Sequence, residues 1–196
     1  MGSVPPNKLA TPLEPLLPRL ELDGPGSELL AGKPDAAAAL DALVAAERLH
    51  EAMRLIAHAL PKREVVWWAC MCARAVPDAA LPQTDMAALV AAEAWVRKPD
   101  EAARRAAMEA AQKTGFSTPE AWAAVAAFWS GGSMSPEGQP VVPPAEHLTG
   151  VAVAGGVIIA ALRHAPELAA ARFARFLESA RDIASGGAGR IPPEER

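Results

Sequence analysis

Between Pro61 and Pro77 the sequence reads PKREVVWWACMCARAVP, and from Val65 to Ala73 it carries no charged or amide side chain. At about 100° per residue, Val65, Trp68, Cys72 and Val76 share one side of a helix while Trp67 and Met71 lie on another, leaving almost no face for water. A helix that is apolar nearly all round is buried among other helices or crosses a membrane, and this run falls well short of the ~20 residues a crossing needs. The stretch is therefore expected to be a central core helix of an all-α domain.

The rest of the composition fits that expectation. Apolar residues make up 51% of the 196, yet aromatics only 5%, so the core must come from closely approaching alanine-rich helices with a few large side chains between them. Tyrosine is absent and there are five tryptophans, which makes Trp67, Trp68, Trp122 and Trp129, together with Trp95, the expected core anchors. A net charge of −4 and the lack of any basic block argue against nucleic-acid binding, which draws its affinity from clustered Lys and Arg. The alternating Glu101, Arg104, Arg105 and Glu109 set reads as a solvated helix face.

No membrane segment is expected, since the longest apolar run, Val151 to Leu162, is too short to span a bilayer and the N-terminus lacks a signal-like apolar region. Cys70 and Cys72 point about 200° apart on a helix and read as inert thiols of a reducing compartment, which points to a cytoplasmic protein. His50 and His58, eight apart with no acid motif between them, do not form a metal pair, and no cofactor signature is present.

Along the chain, residues 1–34 form a Pro/Gly-rich arm, 35–185 a helical domain and 186–196 a tail expected to be disordered. The arm holds leucines at 9, 13, 16, 17, 20 and 22, so it is either a disordered leader or an extended arm docked between helices. About seven helices are expected in a single compact antiparallel bundle or array. The first runs from about 35 to 60, the second follows Pro61, and the third starts at Thr84 or Asp85. The fourth runs from about 100 to 114, the fifth is capped by Thr118 and Pro119, the sixth runs from about Pro144 to Arg163, and the seventh begins after Pro166. On the third, Met86, Leu89, Val90 and Val96 mark the apolar face with Trp95 opposite. Glu93 is either paired with Arg97 on a wet seam or a partly buried carboxylate. On the seventh, Arg172, Arg175 and Asp182 are expected in solvent.

The longest internal irregular stretch is SGGSMSPEGQPVVPP, Ser130 to Pro144. Loops of this length inside a compact domain are uncommon and often functional. Ser133, Met134, Val141, Val142, Pro143, Pro144 and His147 are the candidate partner-binding residues, because flexible glycines beside paired valines and prolines have no evident reason to face water unless something covers them. Gly131 and Gly132 follow a helix, the place of a C-cap rather than of a phosphate cradle. A Ser133–His147 hydrolase pair lacks the G-x-S-x-G elbow and its strand context. No catalytic residue is assigned.

The combination of VVWWACMCAR with AAFWSGGSMSPEGQPVVPP and a following Val/Ala/Gly helix resembles a functionally uncharacterised family of small bacterial helical proteins found with type VI secretion components, over residues 40 to 165. That resemblance implies a context, an accessory role such as effector loading or toxin neutralisation, and no catalytic residue. The expected function is a non-catalytic protein-binding module, an adaptor or chaperone, acting as a monomer or weak homodimer on a secreted effector, toxin or secretion component. An immunity-type inhibitor is the first alternative. A small-molecule binder or enzyme using Glu93, Ser133 or His147 is the second.

Overall fold

A computed structural model describes residues 7–195. Among them every regular element is helical: α1 (Gly24–Leu30), α2 (Ala36–Ala45), α3 (Leu49–Ala59), α4 (Lys62–Ala75), α5 (Gln83–Arg97), α6 (Glu101–Ala111), α7 (Pro119–Phe128), α8 (Leu148–Leu162) and α9 (Ala169–Ala184), with short 3₁₀ turns at Leu17–Arg19 and Pro166–Leu168. The only extended pairing among these residues is an isolated bridge between Pro12 and Asp35.

Among the described residues nine helices rather than seven form, for two local reasons. The expected helix over 35–60 breaks at Glu47, whose φ of 57° lies in the left-handed region, so α2 ends and α3 starts in a new direction. The second addition is α1, inside the arm, where the Asp23 side chain accepts from Gly26 N at 2.7 Å and caps it. Elsewhere the caps act where the sequence places them: Asp35, Asp100 and Thr118 each accept from the backbone N–H three residues on. Asp85 does not cap α5, which starts at Gln83. It is buried instead, accepting from Thr118 Oγ1 at 2.5 Å.

The arm is neither disordered nor merely extended over the described residues. Leu9, Leu13, Leu16, Leu20 and Leu30 are all buried in the core, and main-chain bonds from Leu13 N to Pro34 O and from Ala36 N to Thr11 O lay the arm along the start of α2. The expectation for residues 1–6, the beginning of the arm, lies outside the described residues.

The PKREVVWWACMCARAVP stretch is the core helix its composition requires. Trp68 is wholly buried and its Nε1 donates to Phe176 O at 2.9 Å, joining α4 to α9. Cys70 and Cys72 are buried free thiols, both pushed up in pKa by burial. Of the other expected anchors, Trp67, Trp122 and Trp129 are only half-buried. Each lies at a seam: Trp67 donates to Ala188 O at 2.7 Å, and the Trp122 and Trp129 rings sit 6.4 Å apart. Trp95 is the second tryptophan of the core, so on α5 the apolar face is turned from the expected one: Leu89, Ala92, Trp95 and Val96 face inward while Met86 and Val90 are exposed.

Small residues bring α8 close to its neighbours. Ala152, Gly156 and Ala160 are buried in one stripe, and a Cβ at Gly156 would stand 3.1 Å from Trp122 Cβ on α7. At Gly150 a Cβ would stand 2.2 Å from His58 Nδ1 and 2.9 Å from Ala57 O, so the backbones of α3 and α8 come close there. The far end of α8 is held by a buried ion pair in which Arg163 donates to both Glu120 carboxylate oxygens, at 2.9 and 2.5 Å, and to Val76 O at 2.8 Å. Arg172, expected in solvent, is also buried. It donates to Ala161 O and Arg163 O at 2.9 and 2.7 Å, because the last carbonyls of α8 have no partner within their own helix.

Residues 186–195, expected to be disordered, are packed. Ile191 is buried, Glu194 N donates to Ala75 O at 2.9 Å, and Glu194 pairs with Arg172 through two bonds of 2.8 and 2.9 Å. Gly and Pro rule out a helix here, but side chains of α9 satisfy the extended backbone instead.

Candidate functional site

The chain between α7 and α8 is held from one side by α6. Arg104 projects from the first turns of that helix, in an alanine-rich setting that leaves its guanidinium free to reach the end of α7. It donates to Phe128 O at 2.6 Å and to Ser133 O at 2.8 Å, lies 4.5 Å from the Phe128 ring centre, and is neutralised by two bonds of 2.7 Å to Glu101. The expected solvated face is thus half wrong: Arg104 is 4% exposed. Neighbouring Arg105 donates to Ser135 O at 3.1 Å.

Gly132 explains why the loop needs glycine at this point. Its φ is +65°, and a Cβ there would stand 2.8 Å from the Arg104 guanidinium nitrogens. From that anchor the loop closes on itself. Ser133 Oγ accepts from Ser135 N and Val142 N, each at 3.1 Å, and Met134 N donates to Val142 O at 2.8 Å. At the exit, Thr149 Oγ1 donates to Trp129 O at 2.9 Å, fastening the start of α8 to the end of α7.

Held this way, the loop presents Met134, Val141 and Val142 to solvent at 36%, 75% and 47% exposure. Pro143 is exposed and Pro144 half-buried, while His147 is exposed at the N-terminus of α8. The candidate residues therefore separate by role. Ser133 is the internal clasp, Met134, Val141, Val142 and Pro143 form an apolar lip, and Pro144 and His147 lead into the helix. Among the described residues the N-terminal arm meets the loop's end through an ion pair of Arg19 with Glu146 at 3.2 Å, and the lip stays exposed.

Beside that ion pair lies His58, half-buried under α8. Burial, with Arg19, His147 and Arg54 nearby, holds its pKa down to about 4. Among the described residues no three His, Cys, Asp or Glu side chains are placed to hold a metal ion. Ser133 Oγ is already engaged by two backbone N–H groups, and no hydrogen bond among the described residues joins it to His147. Of the two alternatives for Glu93 the partly buried carboxylate is the one found: its side chain is 13% exposed, and Arg74 on α4, not Arg97, grips it with bonds of 2.5 and 2.9 Å. Sequence reasoning missed Arg104 altogether. The available signal was the double glycine after α7, which leaves room for a large side chain from elsewhere.

A family model covers residues 39–184, from α2 to the end of α9, and so includes the whole loop and its Arg104 clasp. The chain belongs to the DUF6931 family, a family of unknown function. The match is wider than the resemblance over residues 40 to 165, taking in α9, and nothing in it refers to secretion. Comparison with curated proteins and with solved structures gave no match. Among the described residues no single helix is long and apolar enough to cross a membrane, although α8 and the bent segment after it pass that test together by length and composition alone.

Proposed function

We propose that this DUF6931 chain is a non-catalytic helical module that binds another protein through the lip formed by Met134, Val141, Val142 and Pro143. The observation that carries the reading is the pairing of a clasped backbone with exposed apolar side chains. A loop whose conformation is already held by Arg104 and Ser133 loses little entropy on docking, so its apolar contacts translate into affinity. Met134 adds an adaptable surface of the kind found in protein-binding grooves.

An adaptor or chaperone role follows most directly, with a secreted effector or a component of a type VI-like secretion system as the partner implied by the sequence resemblance. An immunity-type inhibitor would use the same lip against a toxin. The test is site-specific photo-crosslinking from position 141 or 142 in the native host, with position 86 on α5 as the exposed control. A single protein crosslinked from the lip and not from the control supports the reading. Equal crosslinking from both positions, or none from the lip, contradicts it.

A further inference from the structure

The packed C-terminal segment has an unusual set of contacts. Residues 187–195 run between α4 and α9, and four of their bonds join groove side chains to strap main chain. Trp67 Nε1 donates to Ala188 O at 2.7 Å, Ser179 Oγ to Gly189 O at 2.6 Å, and Arg175 to Pro192 O. Asp182 accepts from Gly189 N at 2.7 Å. These contacts hold the strap through its main chain, and one position demands glycine: Gly189 has φ +61° and a Cβ there would stand 2.4 Å from Ile183 Cδ1. Only two strap side chains are gripped: Ile191, at 9% exposure, and Glu194, held by both Arg172 and Arg175.

Three further observations separate the strap from its groove. Trp67, Arg172, Arg175, Ser179 and Asp182 all fall within the family match, whereas the strap lies beyond its end at residue 184. Gly186, at φ +95°, and Gly187 donate to Ile183 O and Asp182 O at 3.0 and 2.8 Å, a C-cap that ends α9 and marks the strap off from it. The strap also fits its groove incompletely. A cavity of about 430 Å³ remains beside Ile191, bounded by Met71, Arg74 and Glu93, and another of about 300 Å³ lies on the Lys8 and Arg63 side of Trp67.

We propose that the groove between α4 and α9 is a peptide-binding site which the chain's own C-terminal strap occupies in cis. The partner it fits is a segment of another protein carrying a glycine, an aliphatic residue two positions later and a carboxylate three positions after that, the spacing of Gly189, Ile191 and Glu194. Main-chain bonds supply general affinity, the Met71 side of the cavity takes the aliphatic group, and Arg172 with Arg175 reads the carboxylate. This site shares no residue with the lip between α7 and α8, so either can fail without the other.

The test uses the full chain and a fluorescein-labelled peptide copying residues 186–195. In one protein the strap is weakened by Ile191→Asp with Glu194→Lys; the other is unchanged. The labelled peptide is expected to bind the weakened chain saturably and at least about tenfold more tightly than the unchanged chain, where the tethered strap competes at high effective concentration. A peptide carrying the same two changes should not bind. Peptides with Gly, Ile and Glu at this spacing in an otherwise unrelated sequence should bind as well. No saturable binding, equal binding to both chains, or loss of the helical circular dichroism of the weakened chain would each overturn the proposal. Binding by the strap sequence alone, and by no other Gly-x-Ile-x-x-Glu peptide, would overturn it too, by making the strap a private clasp.

Discussion

The Arg104 guanidinium donates to the Ser133 carbonyl at 2.8 Å, joining α6 to a loop 29 residues further along the chain. Through this bond, and its companion to Phe128 O, one buried side chain decides whether the stretch after α7 is a mobile loop or a shaped lip. Arg104→Ala removes a charged donor from one buried and one partly buried carbonyl and should cost about 2 to 3 kcal/mol. Hydrogen exchange should then quicken at Ser135 and Val142 more than at α4. Unchanged protection in the loop would show that the clasp is not what orders it.

Trp68→Ala is expected to lose about 3 to 5 kcal/mol, as for other large buried aromatics. Half-buried Trp122 at the same substitution should lose less. Chemical denaturation of the two variants checks the order, and a reversed order would move the core away from α4.

Breaking the pair between Glu120 and Arg163 should be costly. Both side chains are nearly free of solvent, so Glu120→Ala leaves an unpaired buried guanidinium and is expected to destabilise by about 3 to 5 kcal/mol. Replacing both residues by Met should recover much of that loss. A single variant as stable as the parent chain would contradict the burial of the pair.

Stability should also depend on pH through His58. The unfolded chain takes up this proton near 6.5, while in the folded chain it is held off until about 4. The unfolded state therefore binds more protons between these values, and the contribution is full above about 6.5 and lost as pH falls toward 4. Urea midpoints of the parent chain should fall over this window more than those of His58→Gln. Parallel declines would assign the effect to other groups.

How far the sequence carried these conclusions can be followed residue by residue. The α4 core was legible because nine successive residues without charge leave a helix no wet face, and the starts of α6 and α7 because Asp100 and Thr118 have the right side chains at the right offset. Arg104 and Arg172 were not, since hydrophobic periodicity counts an arginine as a surface residue and cannot see carbonyls at another helix's end that need a donor. Met86 and Val90 misled in the opposite sense: four aliphatics outvoted Trp95, whose bulk the core needed more. The break at Glu47 carried no Gly or Asn to announce its left-handed backbone. For the loop, its position and composition were visible, but its rigidity was not, because that depends on a side chain from α6. The tail looked disordered because its partners are single polar side chains, Trp67 on distant α4 and Ser179, Asp182 and Arg172 on the adjoining α9, which hydrophobic periodicity does not register.

The central claim is that the clasped lip binds a protein partner, and the most direct measurement is the affinity of the Val141→Asp/Val142→Asp variant for the protein crosslinked at the lip, determined calorimetrically beside its thermal midpoint. Both valines are exposed, so the midpoint should shift little. The account predicts a loss of affinity of at least about a hundredfold, the effect of placing charge in a desolvated apolar contact. An unchanged affinity in a stably folded variant would contradict it.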